Sequence, residues 1–342
     1  MDLKTLCEAQ GLSGREEPVR RMILEACTAR FGADAVALDG VGSVIVTRKG
    51  TDPAKPRVML AAHMDEVGLM AVSATEEGLI RFRAIGGVDS RVLVSKRVRV
   101  GYDAPDKPAL PGVIGAMAIH QQSAEERKAV LPIEQLYVDI GARDKAEAER
   151  LAPAGTMITF ETPFTPFGEG LVYAKALDDR VGVYNLLRLL ETPYAGELVF
   201  AFTSQEEVGC RGAAAAAYRV QPDIGLILET TSANDLGDTP DALKVCRVGE
   251  GVCVSFMDNA SIADGGLYRD MLATAQREGI AHQVKQFVSG GNDGGAVQLA
   301  GEGARTIVLS VPCRNIHSPT TVCALSDIAA QEALARAFLS NL

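Results

Sequence analysis

Apolar residues in this chain gather into short unbroken runs, and four of the runs stop at groups able to bind metals or move protons. The runs are Val58 to Ala62, Leu198 to Thr203, Ile224 to Leu228 and Thr306 to Val311. Rich in Val, Ile, Leu and Phe and bounded by turn residues, they read as buried strands of an α/β sheet. Val41 to Val46 and Arg57 to Ala62 read as strands of the same sheet. Helical spacing appears between these runs. Ser13-Gly-Arg-Glu16 has the form of a capping box, ahead of an amphipathic helix that places Val19, Met22, Ile23 and Ala26 on one face. Ala176 to Leu190 predicts a helix with Val181, Tyr184 and Leu187 inward. The alanine run of Gly212 to Tyr218 predicts another.

From about residue 70 to 165 the pattern changes. Gly86-Gly87, Gly101, Pro105, Pro108, Pro111-Gly112 and Gly115 punctuate short β-rich pieces such as Val92 to Val100 and Leu136 to Ile140, and only Asp144 to Leu151 looks helical. A β-rich piece between two parts of an α/β sheet predicts an inserted domain. The division is therefore 1–69 with 166–342 for the α/β unit and 70–165 for the insertion.

Composition narrows the function classes. Of 342 residues 47% are hydrophobic and 23% charged, as in a globular protein. No apolar stretch approaches the roughly 20 residues of a membrane helix, and Asp2, Lys4 and Glu8 interrupt any signal-peptide core. A net charge of −10 argues against nucleic acid or an anionic membrane as partner. The absence of Trp and an aromatic content of 5% argue against a base-stacking surface. Seven cysteines without a C-x-x-C pair predict no disulfide framework and point to a reducing cytoplasm.

The residues that end the four runs carry the chemistry, because ligand crevices in open α/β sheets lie beyond the carboxyl ends of the strands. His63 and Asp65 share one side of a strand. A carboxylate so placed can take the second N–H of an imidazole and orient it toward a metal, although a hydrogen-bonded structural His fits as well. Asp178-Asp179 stands at a helix start, either as an N-cap with a dipole-favoured neighbour or as a carboxylate bridging two metals with a second that orients a ligand. Glu206-Glu207, after Ser204-Gln205, would repel in a dry pocket without a cation. With one, the first or second glutamate ligates and the other serves as general base. The alternative is a solvated loop start. Glu229 and His317 would alone be an exposed strand end and a surface-loop His. Gly290-Gly291-Asn292-Asp293-Gly294-Gly295 lacks both nucleotide-binding fingerprints, so its glycines point to close approach of backbone to a substrate. His120 and His282 have no acidic partner and read as structural. There is no G-x-S-x-G elbow and no H-E-x-x-H helix. Cys210 and Cys313 fall near the site, where packing explains them equally well. Two His with three or four carboxylates exceed what one zinc needs and suit a two-metal hydrolase.

These segments resemble a known family. GLSGREEPVR, LAAHMDEVGLM, IGARDKAEAERL, AKALDDRVGVYNLL, TSQEEVGCRGA, LILETTSAND, SGGNDGGAVQ and VPCRNIHSP are similar, in this order, to the glutamyl and deblocking aminopeptidases of the tetrahedral (TET) type, which are cocatalytic metallopeptidases of the cytosol. The resemblance implies a mixed-sheet α/β/α catalytic domain with an inserted PDZ-like or barrel-like domain through which dimers build a twelve-subunit tetrahedral shell. It implies two divalent metals per subunit, zinc first, with cobalt or manganese as alternatives. His63 and Glu229 would hold one, Glu207 and His317 the other, with Asp178 bridging, Glu206 as general base and Asp65 orienting His63. Short peptides would be the substrates; the family name suggests Glu or Asp at the N-terminus, whereas the acidic overall charge would attract basic peptides just as well. Two features depart from the pattern: many relatives carry Asp at the position of Glu229, and Asn315 replaces the usual Tyr. Two rivals stand beside this expectation. One is a deacylase or carboxypeptidase-like amidohydrolase on the same metals, gripping a carboxylate through Arg211 or Arg314. The other is a non-catalytic oligomeric binding protein.

Overall fold

A computed structural model of the chain describes residues 1–104 and 108–342, so Pro105, one of the expected turn residues, lies outside the described residues. The four apolar runs form four adjacent strands at the centre of an 11-stranded mixed sheet: Leu198–Thr203, Val58–His63, Ile224–Ser232 and Arg305–Arg314, in that spatial order. Neighbours among the four are parallel, and Thr203 stands opposite His63 in the register. Antiparallel strands flank them, with Val36–Leu38 and Val44–Arg48 on one side and Thr321–Ala324, Leu171–Ala174 and Thr165–Phe167 on the other, while Val252–Ser255 pairs antiparallel with Arg305–Arg314 and parallel with His282–Val284. Parallel neighbours share one carboxyl end, so all four terminal groups arrive at one edge.

Strand alternation decides which helices cover which face. Val58, Leu60 and Ala62 pack with Val19, Ile23, Leu186 and Phe338, under the helices Glu17–Phe31, Leu177–Leu189 and Leu325–Asn341. Met59 and Ala61 face the other way, toward Ala213, Ala216, Ala217 and Val297 of the helices Arg211–Val220 and Asp293–Gln298. Phe200 and Phe202 are wholly buried, and burying each contributes roughly 1.5–3 kcal/mol. The sheet is thus sandwiched as an α/β/α unit.

Between Gly68 and Phe160 six strands close into a barrel, Gly68–Ala74, Ile80–Ile85, Tyr137–Asp139, Leu110–Gly115, Arg97–Val100 and Met157–Phe160. Its core comprises Leu69, Phe82, Val98, Ile114, Val138 and Phe160 among others. The first and last strands pair directly, Leu69 with Ile158 and Met70 with Met157.

Two local expectations are corrected. The strand expected over 92–100 begins only at Arg97, because Asp89 accepts from the Arg91 amide and starts a 3-10 turn over Ser90–Val92. Ser13 does not cap the first long helix. That helix begins at Glu17, with Pro18 in its first turn and no side-chain cap. The Ser13 hydroxyl donates to Asp65 (2.6 Å), while Glu16 accepts from the amides of Gly14 (2.7 Å) and Gln205 (3.2 Å). Both side chains serve the loop at the sheet edge instead of the helix end.

Candidate metal centre

The seven residues singled out by sequence converge at this edge. Asp178 sits between the two histidines: its Oδ1 lies 3.3 Å from His63 Nε2 and its Oδ2 lies 3.3 Å from His317 Nε2. Thr230 holds Oδ1 with its hydroxyl at 2.8 Å. Glu229 Oε2 is 3.9 Å from His63 Nε2, and Glu207 Oε2 is 3.4 Å from His317 Nε2. Asp65 accepts from the amides of Glu206 (3.0 Å) and Glu207 (3.2 Å) as well as from Ser13, so one buried carboxylate fixes the backbone of the glutamate pair. His63 Nδ1 is 3.4 Å from Asp65 Oδ1, a charge contact that is not aligned as a hydrogen bond. Glu206 joins His63, Asp178, Glu229 and His317 in lining a cavity of about 250 Å³.

The two readings of Asp178-Asp179 are divided between the two residues. Both have non-helical backbone, and Asp179 accepts from the Gly182 amide at 3.0 Å, in the manner of an N-cap. A Cβ at Gly182 would fall 2.3 Å from the Asp179 carboxylate, which is why that turn uses glycine. Asp178 is left to face the histidines. A second glycine brings the barrel to the site: a Cβ on Gly87 would lie 3.3 Å from His317 Nδ1.

Electrostatics shows how poorly this cluster is balanced by itself. Burial pushes Glu206 up to about 7, and burial with the charge of Asp178 pushes Glu207 up to about 8. Burial, then Asp179, drives Glu229 well above its ordinary range, and burial lifts Asp293 to about 6. Asp178 is the exception. Burial raises it too, but hydrogen bonds from His317 and His63 outweigh burial and hold it far below the usual carboxylate range. The bond to Asp178 in turn raises His317 to about 9. Four buried atoms here have no hydrogen-bond partner among the described residues: His63 Nδ1, Asp179 Oδ2, Glu229 Oε1 and Asp293 Oδ1. Buried polar atoms are rarely left unpaired. Two donor sets, His63/Asp179/Glu229 and His63/Asp178/Glu207, each bring ligand atoms within 4.8 Å of one another. Orphaned acceptors, like charges and imidazole nitrogens at this spacing fit divalent cations.

Sequence reasoning missed several participants. Asp293 was hidden inside a glycine-rich loop, of which Gly290 and Gly291 do line the cavity while Gly291 and Gly295 also press on Ala260. Lys285 lines the cavity from the strand end after His282–Val284, with its Nζ donating to the Ser289 carbonyl (2.9 Å). No sequence signal marks it. Arg314 is paired with Asp235 (2.7 Å), and Arg211 is exposed beside Gln205. Cys313 is buried in register with Cys323, whereas the Cys210 thiol donates to Glu206 at 3.5 Å. His282 Nδ1 lies 2.8 Å from the Ile280 carbonyl and His120 is in an exposed turn; neither lines the cavity.

With this geometry in hand, comparisons with known proteins agree in kind. The family model described as M42 glutamyl aminopeptidase matches residues 42–334. The glutamyl aminopeptidase of Lactococcus lactis is 32% identical over 348 residues, covering 99% of this chain and 95% of that protein. The crystal structure of a TET aminopeptidase from a marine-sediment thaumarchaeon superposes with a TM-score of 0.93 at 31% identity, covering 99% and 95% of the two chains. The Pyrococcus horikoshii TET1 peptidase, which can assemble into a tetrahedron or a large octahedral shell, matches with a TM-score of 0.85 at 32% identity over 98% and 97%.

Proposed function

The chain belongs to the M42 glutamyl aminopeptidase family and is an aminopeptidase of the TET type; on that premise we propose that it hydrolyses N-terminal residues from short peptides with two divalent metals, and that it prefers an acidic first residue. The observation that carries the metal reading is Asp178 spanning His63 and His317 at 3.3 Å on each side. His63 and Glu229 would hold one ion and Glu207 and His317 the other, with Asp178 shared between them; zinc suits the set best, and cobalt or manganese would also be accepted. Bound there, the ions would supply Lewis acidity toward the scissile carbonyl and an attacking water.

The remaining steps belong to the side chains. Glu206, with its backbone fixed by Asp65, takes a proton from the water on its carboxylate and delivers it to the departing amine. Its upward shift toward 7 suits a base working near neutrality. Thr230 holds Asp178 by its hydrogen bond, and Asp65 would orient His63 by its charge, 3.4 Å from Nδ1. The carboxylate-rich lining attracts the free α-ammonium of a peptide, which confines cleavage to chain ends. Lys285, in the same cavity, supplies the cation that an acidic first side chain would meet. A carboxypeptidase-like grip finds less support, because Arg314 is committed to Asp235 and does not line the cavity.

A panel of aminoacyl-nitroanilides, read after chelation and again after each metal is restored, tests this. Glutamyl and aspartyl substrates should lead, and Lys285→Glu should move the preference toward lysyl and arginyl ones. Full turnover in metal-free protein would sink the proposal. We further assign residues 1–69 and 166–342 to catalysis and 70–165 to assembly into dimers and a dodecamer in the cytoplasm, a setting that suits seven free cysteines. A monomer by light scattering with metals bound would refute the assembly role.

A further inference from the structure

We infer that Glu206, Cys210 and Asp293 form a third cation site, beside the pair bridged by Asp178, which takes a soft divalent ion and thereby withdraws Glu206 from catalysis. Ligand atoms of the three residues lie within 4.8 Å of one another. The Cys210 sulfur is 3.5 Å from Glu206 Oε1. A sulfur and an oxygen bound to one tetrahedral zinc, at about 2.3 and 2.1 Å, are roughly 3.6 Å apart, so this edge already has the spacing of a bound ion.

The independent sign of a missing ligand is Asp293. Its side chain is fully buried; Oδ2 accepts from the Thr203 hydroxyl at 2.5 Å, and Oδ1 has no partner. An unpaired carboxylate oxygen in a dry setting is costly. Burial and the carboxylates of Asp293 and Glu206 hold the Cys210 thiol protonated, well above its ordinary range. A cation removes that opposition: the thiol proton leaves to solvent, a sulfur–metal bond forms, and three groups that repel as anions share one charge. One sulfur and two oxygens select cadmium or surplus zinc over magnesium or manganese. Cys210 itself is half-exposed, so the position is open to solvent.

The inhibitory half of the inference rests on the reading of Glu206 as general base; the site does not. Cadmium chloride should be titrated into enzyme loaded with zinc. None of the other assigned ligands is a thiol, so the ultraviolet charge-transfer band of a cadmium–sulfur bond reports this position. The expected result is that band, one cadmium bound beyond the zinc content, and kcat lowered about 10²-fold or more with KM little changed. Cys210→Ser and Cys210→Ala should show no band, and each should lose little of its own cadmium-free turnover when cadmium is added. Absence of the band in the wild type, or undiminished inhibition in both Cys210 variants, overturns the site. A band accompanied by full turnover upholds the site and overturns the role given to Glu206.

Discussion

Two groups of buried charge lie side by side in this molecule, and they are built on opposite principles. In one, Glu66 is clasped by Lys175 at 2.8 Å, with Arg180 3.8 Å away, while Lys175 also donates to the Ala9 carbonyl and Arg180 to the Met64 and Leu6 carbonyls. Each charged group there meets an opposite charge or backbone carbonyls of the chain, with two cations gathered on one carboxylate and Arg180 Nη2 alone left without a hydrogen bond among the described residues. In the other, Asp178, Asp179, Glu206, Glu207, Glu229 and Asp293 face, among the described residues, His63, His317 and, across the cavity, Lys285. The two groups share the same short stretches of chain. Asp65 turns to the site and its neighbour Glu66 to the cations; Asp178 turns to the histidines while Arg180 turns away. What distinguishes the two clusters is therefore not burial but whether the chain itself supplies opposite charge to each carboxylate.

That contrast can be broken most forcefully at the glutamate pair. Glu206→Gln should retain its metals and lose turnover by about 10²–10⁴-fold, since an amide cannot accept the proton. Glu207→Gln should lose one metal, because a neutral amide is a poorer ligand. Metal content and kcat measured on both variants decide the matter; the reverse pattern would exchange the two roles.

Next in size is the cluster around Glu66. Lys175→Met leaves Glu66 without its closest partner and should lower stability by about 3–5 kcal/mol, read by urea unfolding, while the fraction that folds keeps its metal content and KM. A variant that is equally stable but metal-poor would show that the two clusters are not separable in this way.

A smaller effect concerns pH. Glu206 and Glu207 rise from 4.5 to about 7 and about 8 in the fold, and His317 rises from 6.5 to about 9. For the carboxyls, the unfolded chain releases its proton above 4.5 while the fold still holds one, so raising pH through this window favours unfolding. For His317 the stabilisation is complete below 6.5 and is lost as pH climbs through about 9. All three slopes have one sign. The metal-free protein should therefore melt at progressively lower temperature between about pH 5 and 9, and saturating zinc should flatten the slope. A melting temperature that rises across this interval without metal would contradict the picture of uncompensated carboxylates.

Much of this arrangement was legible in the chain because burial on both faces leaves unbroken apolar runs, and a parallel sheet delivers their ends to one edge. His63, Glu207, Glu229 and His317 were visible for that reason, with family resemblance supplying the division of roles. Asp293 was not, because it starts a short helix among glycines and only the folded chain brings it to Thr203 and Cys210. Ser13 and Glu16 followed the local pattern of a helix cap, yet Asp65 and Gln205, distant in sequence, offered better partners. Lys285 carries no signal at all, since a lysine after a short strand is commonplace. Local rules locate elements; they do not see which long-range partner outcompetes the local one.

The pairing of Leu69 with Ile158 and Met70 with Met157 has a consequence for modularity. The barrel leaves the sheet and returns to it through a single two-stranded neck, so its ends are already as close as those of a hairpin. Ends so placed predict that the barrel can be exchanged for another without altering the spacing between the strand that ends at His63 and the helix start that carries Asp178. A replacement must reproduce the bare backbone at Gly87, where the present barrel leans against His317, and the seam where Gln10 donates to the Gly101 carbonyl and the Thr159 hydroxyl. Deliberate grafting could thus change the barrel while leaving the candidate metal centre intact.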